Sequence, residues 1–124
     1  MKKLVMKPDT TAPWLWVYDE KGEFYDAGLP EKETKAFQNL LDSVEARYTC
    51  EALCGEYYET LGFETQQQKD DLIADAFKLF GEIKRNLSDR YEIDEYPDLN
   101  ELINTPAGKR EELRKAYAKE HHLS

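Results

Sequence analysis

WLWVYDEKGEFY, residues 14–25, decides the fold class. Its first five residues are aromatic, β-branched or aliphatic, a polar DEKG follows, and apolar alternation resumes at Phe24 and Tyr25. Runs of this kind separated by a short glycine-containing loop form β-hairpins. Pro13 suits the start of a strand, where a missing amide hydrogen is tolerated, and Gly28-Leu29-Pro30 turns the chain out of the sheet. Strict alternation would put Trp14 and Trp16 on one face, as core filling or with one of them as an exposed interface anchor.

Working outward, the pattern changes from period two to helical. Phe37, Leu40, Leu41, Val44 and Tyr48 recur at helical spacing after Pro30, with Pro30 at the first helical position and Glu31 and Glu33 at the positive end of the helix dipole. A second, stronger helix starts at a Thr65/Gln68 capping box, carries the stripe Leu72, Ile73, Ala76, Phe77, Phe80, Ile83 and Leu87, and encloses Gly81, a position suited to close packing against a neighbour. Thr105-Pro106 suggests the cap and first turn of a last helix, KREELRKAYAKEHH, which is thinly apolar and frays after Glu120. Residues 49–64 fit either a helix or a bend and strand. A third strand there is preferred, because a lone hairpin is marginal in water. The expectation is an α+β fold over residues 1–124 as a single domain, with an N-terminal antiparallel hairpin or three-stranded sheet packed on three to four α-helices.

Composition sets the limits on function. The 124 residues are 40% apolar with fifteen aromatics, enough for one core. A net charge of −9 repels nucleic-acid phosphates and anionic membranes and matches a basic protein partner, although moderate acidity also serves solubility alone. The N-terminal MKKLVMKPDTTAP has only a three-residue apolar run, which argues against export, and no window approaches the length of a membrane span. A soluble, cytoplasmic chain follows as the expectation. Cys50 and Cys54 lack further ligands nearby for a structural zinc and read as buried thiols, so neither a metal nor a cofactor is expected.

No phosphate-binding glycine loop, no nucleophile with a positioned base and no informative carboxylate pair is present, so the chain is read as a non-enzyme. What remains is where the acids lie. Residues 13–65 hold twelve acidic against four basic side chains, and residues 92–104 hold five carboxylates with no base. Within YEIDEYPDLNEL, residues 91–102, Asp98 and Glu101 form a capping-box pattern for a short helix. Glu92, Asp94 and Glu95, flanked by Tyr91 and Tyr96, have no structural assignment and become candidate partner-binding residues. Asp19, Glu20, Glu23 and Asp26 of the hairpin are the second candidate group. Carboxylates steer a basic partner and aromatics supply affinity.

In size, acidity and absence of catalytic motifs, with WLWVYDEKGEF and YEIDEYPDLNEL as the suggestive stretches, the chain resembles the small immunity proteins of contact-dependent and other polymorphic toxin systems of bacteria. The resemblance is one of composition and implies a cytoplasmic protein that binds and neutralises a cognate toxin domain, often a nuclease; the net charge adds the expectation that this partner is basic and that neither nucleic acid nor membrane is bound. It does not fix a fold. Two alternatives stand beside it: an adaptor or regulatory module whose acidity serves solubility, and a phage-type inhibitor that mimics DNA with phosphate-spaced carboxylates.

Overall fold

The computed structural model describes residues 1–8, 13–52 and 61–120. The hairpin forms as expected: β2 (Leu15–Tyr18) pairs antiparallel with β3 (Phe24–Ala27). Asp19 builds the turn, its Oδ1 accepting from the Lys21 and Glu23 amides at 2.9 Å each, while Gly22 supplies the positive φ of 82° that closes it.

The sheet is larger than the hairpin and mixed. β1 (Lys3–Met6) lies antiparallel to β2, and β4 (Glu92–Ile93) lies parallel to β1, giving the order β3-β2-β1-β4. A third strand comes from the N-terminal KLVM, and the described residues of 49–64 add none to this sheet. Tyr48–Ala52 continues the preceding helix as a π turn, and residues 53–60 lie outside the described residues. Phe63 makes only an isolated parallel bridge to Ala107, away from the sheet.

The first helical stretch is interrupted. α1 (Glu31–Thr34) is followed by a 3₁₀ turn over Lys35–Phe37 and then by α2 (Gln38–Arg47), with Pro30 at the N-cap of α1, one position earlier than its sequence reading. α3 (Gln66–Leu87) forms as expected. The Thr65 Oγ1 accepts from the Gln68 amide at 3.1 Å and the Gln68 Oε1 accepts from the Thr65 amide at 3.2 Å, satisfying two otherwise unpaired donors. α4 (Asn100–Ile103) is one turn long and α5 (Arg110–Glu120) completes the described chain.

Three local expectations change at this level. A Cβ on Gly81 would meet open space, so this glycine serves no close packing. The N-cap of α4 is Leu99 and no capping box forms; Asp98 instead accepts from the Asn100 amide at 3.3 Å, an Asx turn. Thr105-Pro106 does not start α5. The Thr105 hydroxyl donates back to the Glu101 carbonyl at 2.8 Å, and the Pro106 carbonyl accepts from the Phe63 amide at 2.8 Å. There Gly62 is tightly held, since a Cβ would fall 2.1 Å from the Pro106 oxygen, and the Arg110 guanidinium ties the start of α5 to the Gly62 and Glu51 carbonyls.

The core lies between one sheet face and the helices. Leu4 and Met6 of β1 and Leu15 and Val17 of β2 point inward onto Leu41, Val44, Leu72, Leu79 and Ile83. Trp14, just before β2, is fully buried with its ring edge-on to Tyr48 at 5.6 Å, and its amide donates to the Glu45 Oε2 at 2.9 Å. Burial pushes the Glu45 carboxyl above its usual range; the Trp14 hydrogen bond pulls it down and the neighbouring Asp42 raises it further. Trp14 and Trp16 consequently do not share a face: Trp14 sits in the core and Trp16, half-buried, points to the other side of the sheet. Cys50 is exposed, not buried, and Cys54 lies outside the described residues.

Candidate binding face on the open side of the sheet

Because strand side chains alternate, burying Leu4, Met6, Leu15 and Val17 turns Lys3, Val5, Trp16 and Tyr18 to the opposite face. Among the described residues no helix covers that face. Phe24 joins it from β3: it pairs with Tyr18 in the register, and its ring lies 6.2 Å from Tyr18 and 5.8 Å from Trp16. Phe24 is 57% exposed, a large apolar side chain left in water.

Beside this aromatic cluster is a shallow groove of about 600 Å³. Asp19, Glu20, Glu92 and Asp98 line it together with Lys3, Val5, Lys7 and Tyr18. Glu92 lies across Lys3 from Tyr18, and Asp98 lies further along β1 beside Met6. The two acidic segments, more than seventy residues apart in the chain, reach the same face because β4 docks parallel on β1. The Glu92 amide donates to the Lys2 carbonyl at 2.9 Å, and the Asp98 amide donates to the Met6 carbonyl at 3.3 Å. Residues 92–98 therefore run along β1 and cover a sheet edge that would otherwise be open.

The candidate residues divide by what their side chains do. Glu92 is exposed opposite Lys3, and Asp94 pairs with the Lys3 ammonium at 3.0 Å, a half-exposed ion pair. Asp19 contributes to the groove while its carboxylate holds the turn, and Glu20 is exposed beside it. Glu95 projects into solvent, its carbonyl receiving the Lys84 ammonium at 3.4 Å. Tyr96, 72% exposed, borders a second depression of about 230 Å³ shared with Phe80, Pro97 and Asp98. Glu23 is exposed at the turn, its carbonyl closing the hairpin. Asp26 opposes Val17 and so lies on the helix-bearing side at the β3 edge, apart from the groove.

Tyr91 is the candidate most engaged within the fold. Half-buried, it donates its hydroxyl to the Glu33 Oε2 at 2.7 Å, tying the start of β4 to α1. Burial, that hydrogen bond and the charge of Glu33 push its phenol up to about 12. Glu33 is further approached by Arg90 at 3.8 Å.

Sequence reading missed the floor of the face, Lys3 and Val5 of β1 and the outward turn of Tyr18 and Phe24, whereas an outward tryptophan was one of its two readings of Trp14 and Trp16. The signal for β1 was the alternation Lys3-Leu4-Val5-Met6-Lys7, too short to stand out as a strand. Among the described residues no cluster of His, Cys, Asp and Glu side chains forms a metal cage, and no helix is long and apolar enough to cross a membrane. No family model, no curated protein and no solved structure matches the chain.

Proposed function

We propose that this protein is a non-catalytic inhibitor of the immunity type, which docks the open face of its sheet on a basic toxin domain, a nuclease being the best electrostatic fit. The observation that carries the reading is the meeting of Asp19, Glu20, Glu92 and Asp98 in a groove on one uncovered sheet face, with the aromatic cluster of Trp16, Tyr18 and Phe24 beside it. Interfaces that bind basic proteins combine a charged rim, which steers encounter and excludes wrong partners, with large side chains that supply affinity near the centre. Four carboxylates, Asp19, Glu20, Glu92 and Asp98, line the groove against Lys3, Lys7 and the Met1 ammonium; Asp94 pairs with Lys3 from outside it, and the ammonium lies 3.8 Å from Glu20. A nuclease domain presents lysines and arginines where it holds phosphates, and a carboxylate-rimmed face would compete for that groove.

The adaptor reading, in which acidity serves solubility, draws on the carboxylates that the fold itself employs: Asp19 in the turn, Asp94 with Lys3, and Glu33 with Tyr91. Affinity capture from the native host followed by toxicity assays separates the two. A captured basic domain that is toxic when expressed alone and harmless when co-expressed with this chain supports inhibition. Capture of a non-toxic assembly whose association is indifferent to salt would sink it.

A further inference from the structure

β3 is the outermost strand on one side of the sheet, and all four of its residues are exposed. In an antiparallel ladder, amides point alternately toward and away from the neighbouring strand. The Gly28 amide donates inward to the Leu15 carbonyl at 2.8 Å, so the amide and carbonyl of Ala27, one residue earlier, face outward along the free edge. The outward Ala27 amide is held by the Asp26 Oδ1 at 2.8 Å. Flanking it, Phe24 and Tyr25 are 57% and 58% exposed. Natural sheets blunt such edges with charge, bulges or cover. Among the described residues the guard on the Ala27 donor is one carboxylate, with a register shift at Tyr25, whose ring lies 3.5 Å under the Lys2 ammonium, while Phe24 stays largely in water.

From this geometry we infer that the β3 edge receives a basic β-strand from the partner protein, extending the sheet by one strand. The inference rests on the reading of the chain as a protein-binding module, but it assigns a contact distinct from the groove. An incoming strand places a carbonyl where Asp26 now accepts from Ala27. The displaced Asp26 carboxylate is then free to pair with a lysine or arginine on that strand, so one charge guards the edge in the free protein and selects a cation in the complex. Glu23 adds negative charge at the turn end of the same edge, and Phe24 and Tyr25 offer cover for alternate apolar side chains. An acidic strand is excluded by repulsion from Asp26, and an uncharged one leaves that carboxylate without its amide.

The test uses three synthetic peptides on the full chain: one of alternating lysine and valine, one of alternating glutamate and valine, and the lysine peptide N-methylated at every second residue. Binding is followed by amide chemical shifts and by hydrogen exchange at Ala27. The lysine–valine peptide is expected to protect the Ala27 amide, and the glutamate peptide is not. N-methylation on the pairing edge should weaken binding by about tenfold or more, since it removes hydrogen bonds whose partners become buried. Ala27→Pro should act likewise, because its amide makes no bond within the sheet. If that variant unfolds, the N-methylated peptide still decides the matter. Equal binding of the methylated peptide, or no protection of Ala27 at millimolar lysine–valine peptide, overturns the inference. Shifts confined to Glu20 and Glu92 would do so as well, while leaving the groove reading intact.

Discussion

Tyr91 shows how one candidate residue divides between fold and function. Its hydroxyl is committed to Glu33, so Tyr91→Phe should destabilise the protein by about 1 kcal/mol, the net worth of an ordinary hydrogen bond. A phenol raised from 10 to about 12 keeps its proton in the folded state where an unfolded tyrosine loses it. Its contribution is therefore complete below pH 10 and lost as pH rises through 12. Spectrophotometric titration of the eight tyrosines should show a late phenolate that Tyr91→Phe removes. Two glycines make a sharper contrast. Gly62→Ala forces a Cβ onto the Pro106 backbone at positive φ and should cost about 2 kcal/mol or more, whereas Gly81→Ala meets open space in a helix and should stabilise by about 1 kcal/mol. Thermal unfolding of both variants checks the pair; a stabilised Gly62→Ala would mean that the Phe63–Ala107 contact is misplaced.

At the scale of elements, legibility followed length and period. The hairpin and α3 could be read because each carries its own start signal and several repeats of its apolar pattern. β1 could not, since only Leu4 and Met6 mark its inward face, and a strand between two partners draws its stability from pairing and not from local preference. Thr105-Pro106 misled for a related reason: cap chemistry suits the end of α4 as well as a helix start, and the tertiary bridge to Phe63 decided it. The sided nature of β1 is measurable. Leu4→Ala should cost about 2–4 kcal/mol in denaturant unfolding, while Val5→Ala, on the open face, should cost well under half of that. Equal losses would mean that both faces of β1 are covered.

For the whole molecule, the two acidic segments were legible as segments but not as one surface. Their meeting depends on β4 docking parallel to β1, a pairing of two residues that no local pattern announces. Sequence reading also grouped Asp26 with Asp19 and Glu20, whereas the pleat sends it to the other side of the sheet. The open face unites Glu20 and Glu92, two exposed carboxylates that line one groove from different strands' ends, and neither one builds the hairpin turn. That makes them the cleanest handles on the central claim. The decisive measurement is the association rate of the captured basic partner with the wild-type chain and with Glu20→Lys/Glu92→Lys, across a range of salt. The account expects the double variant to associate about tenfold more slowly or worse at low salt, with a flattened salt dependence and an unchanged melting temperature. An association rate that is insensitive both to this charge reversal and to salt would contradict it.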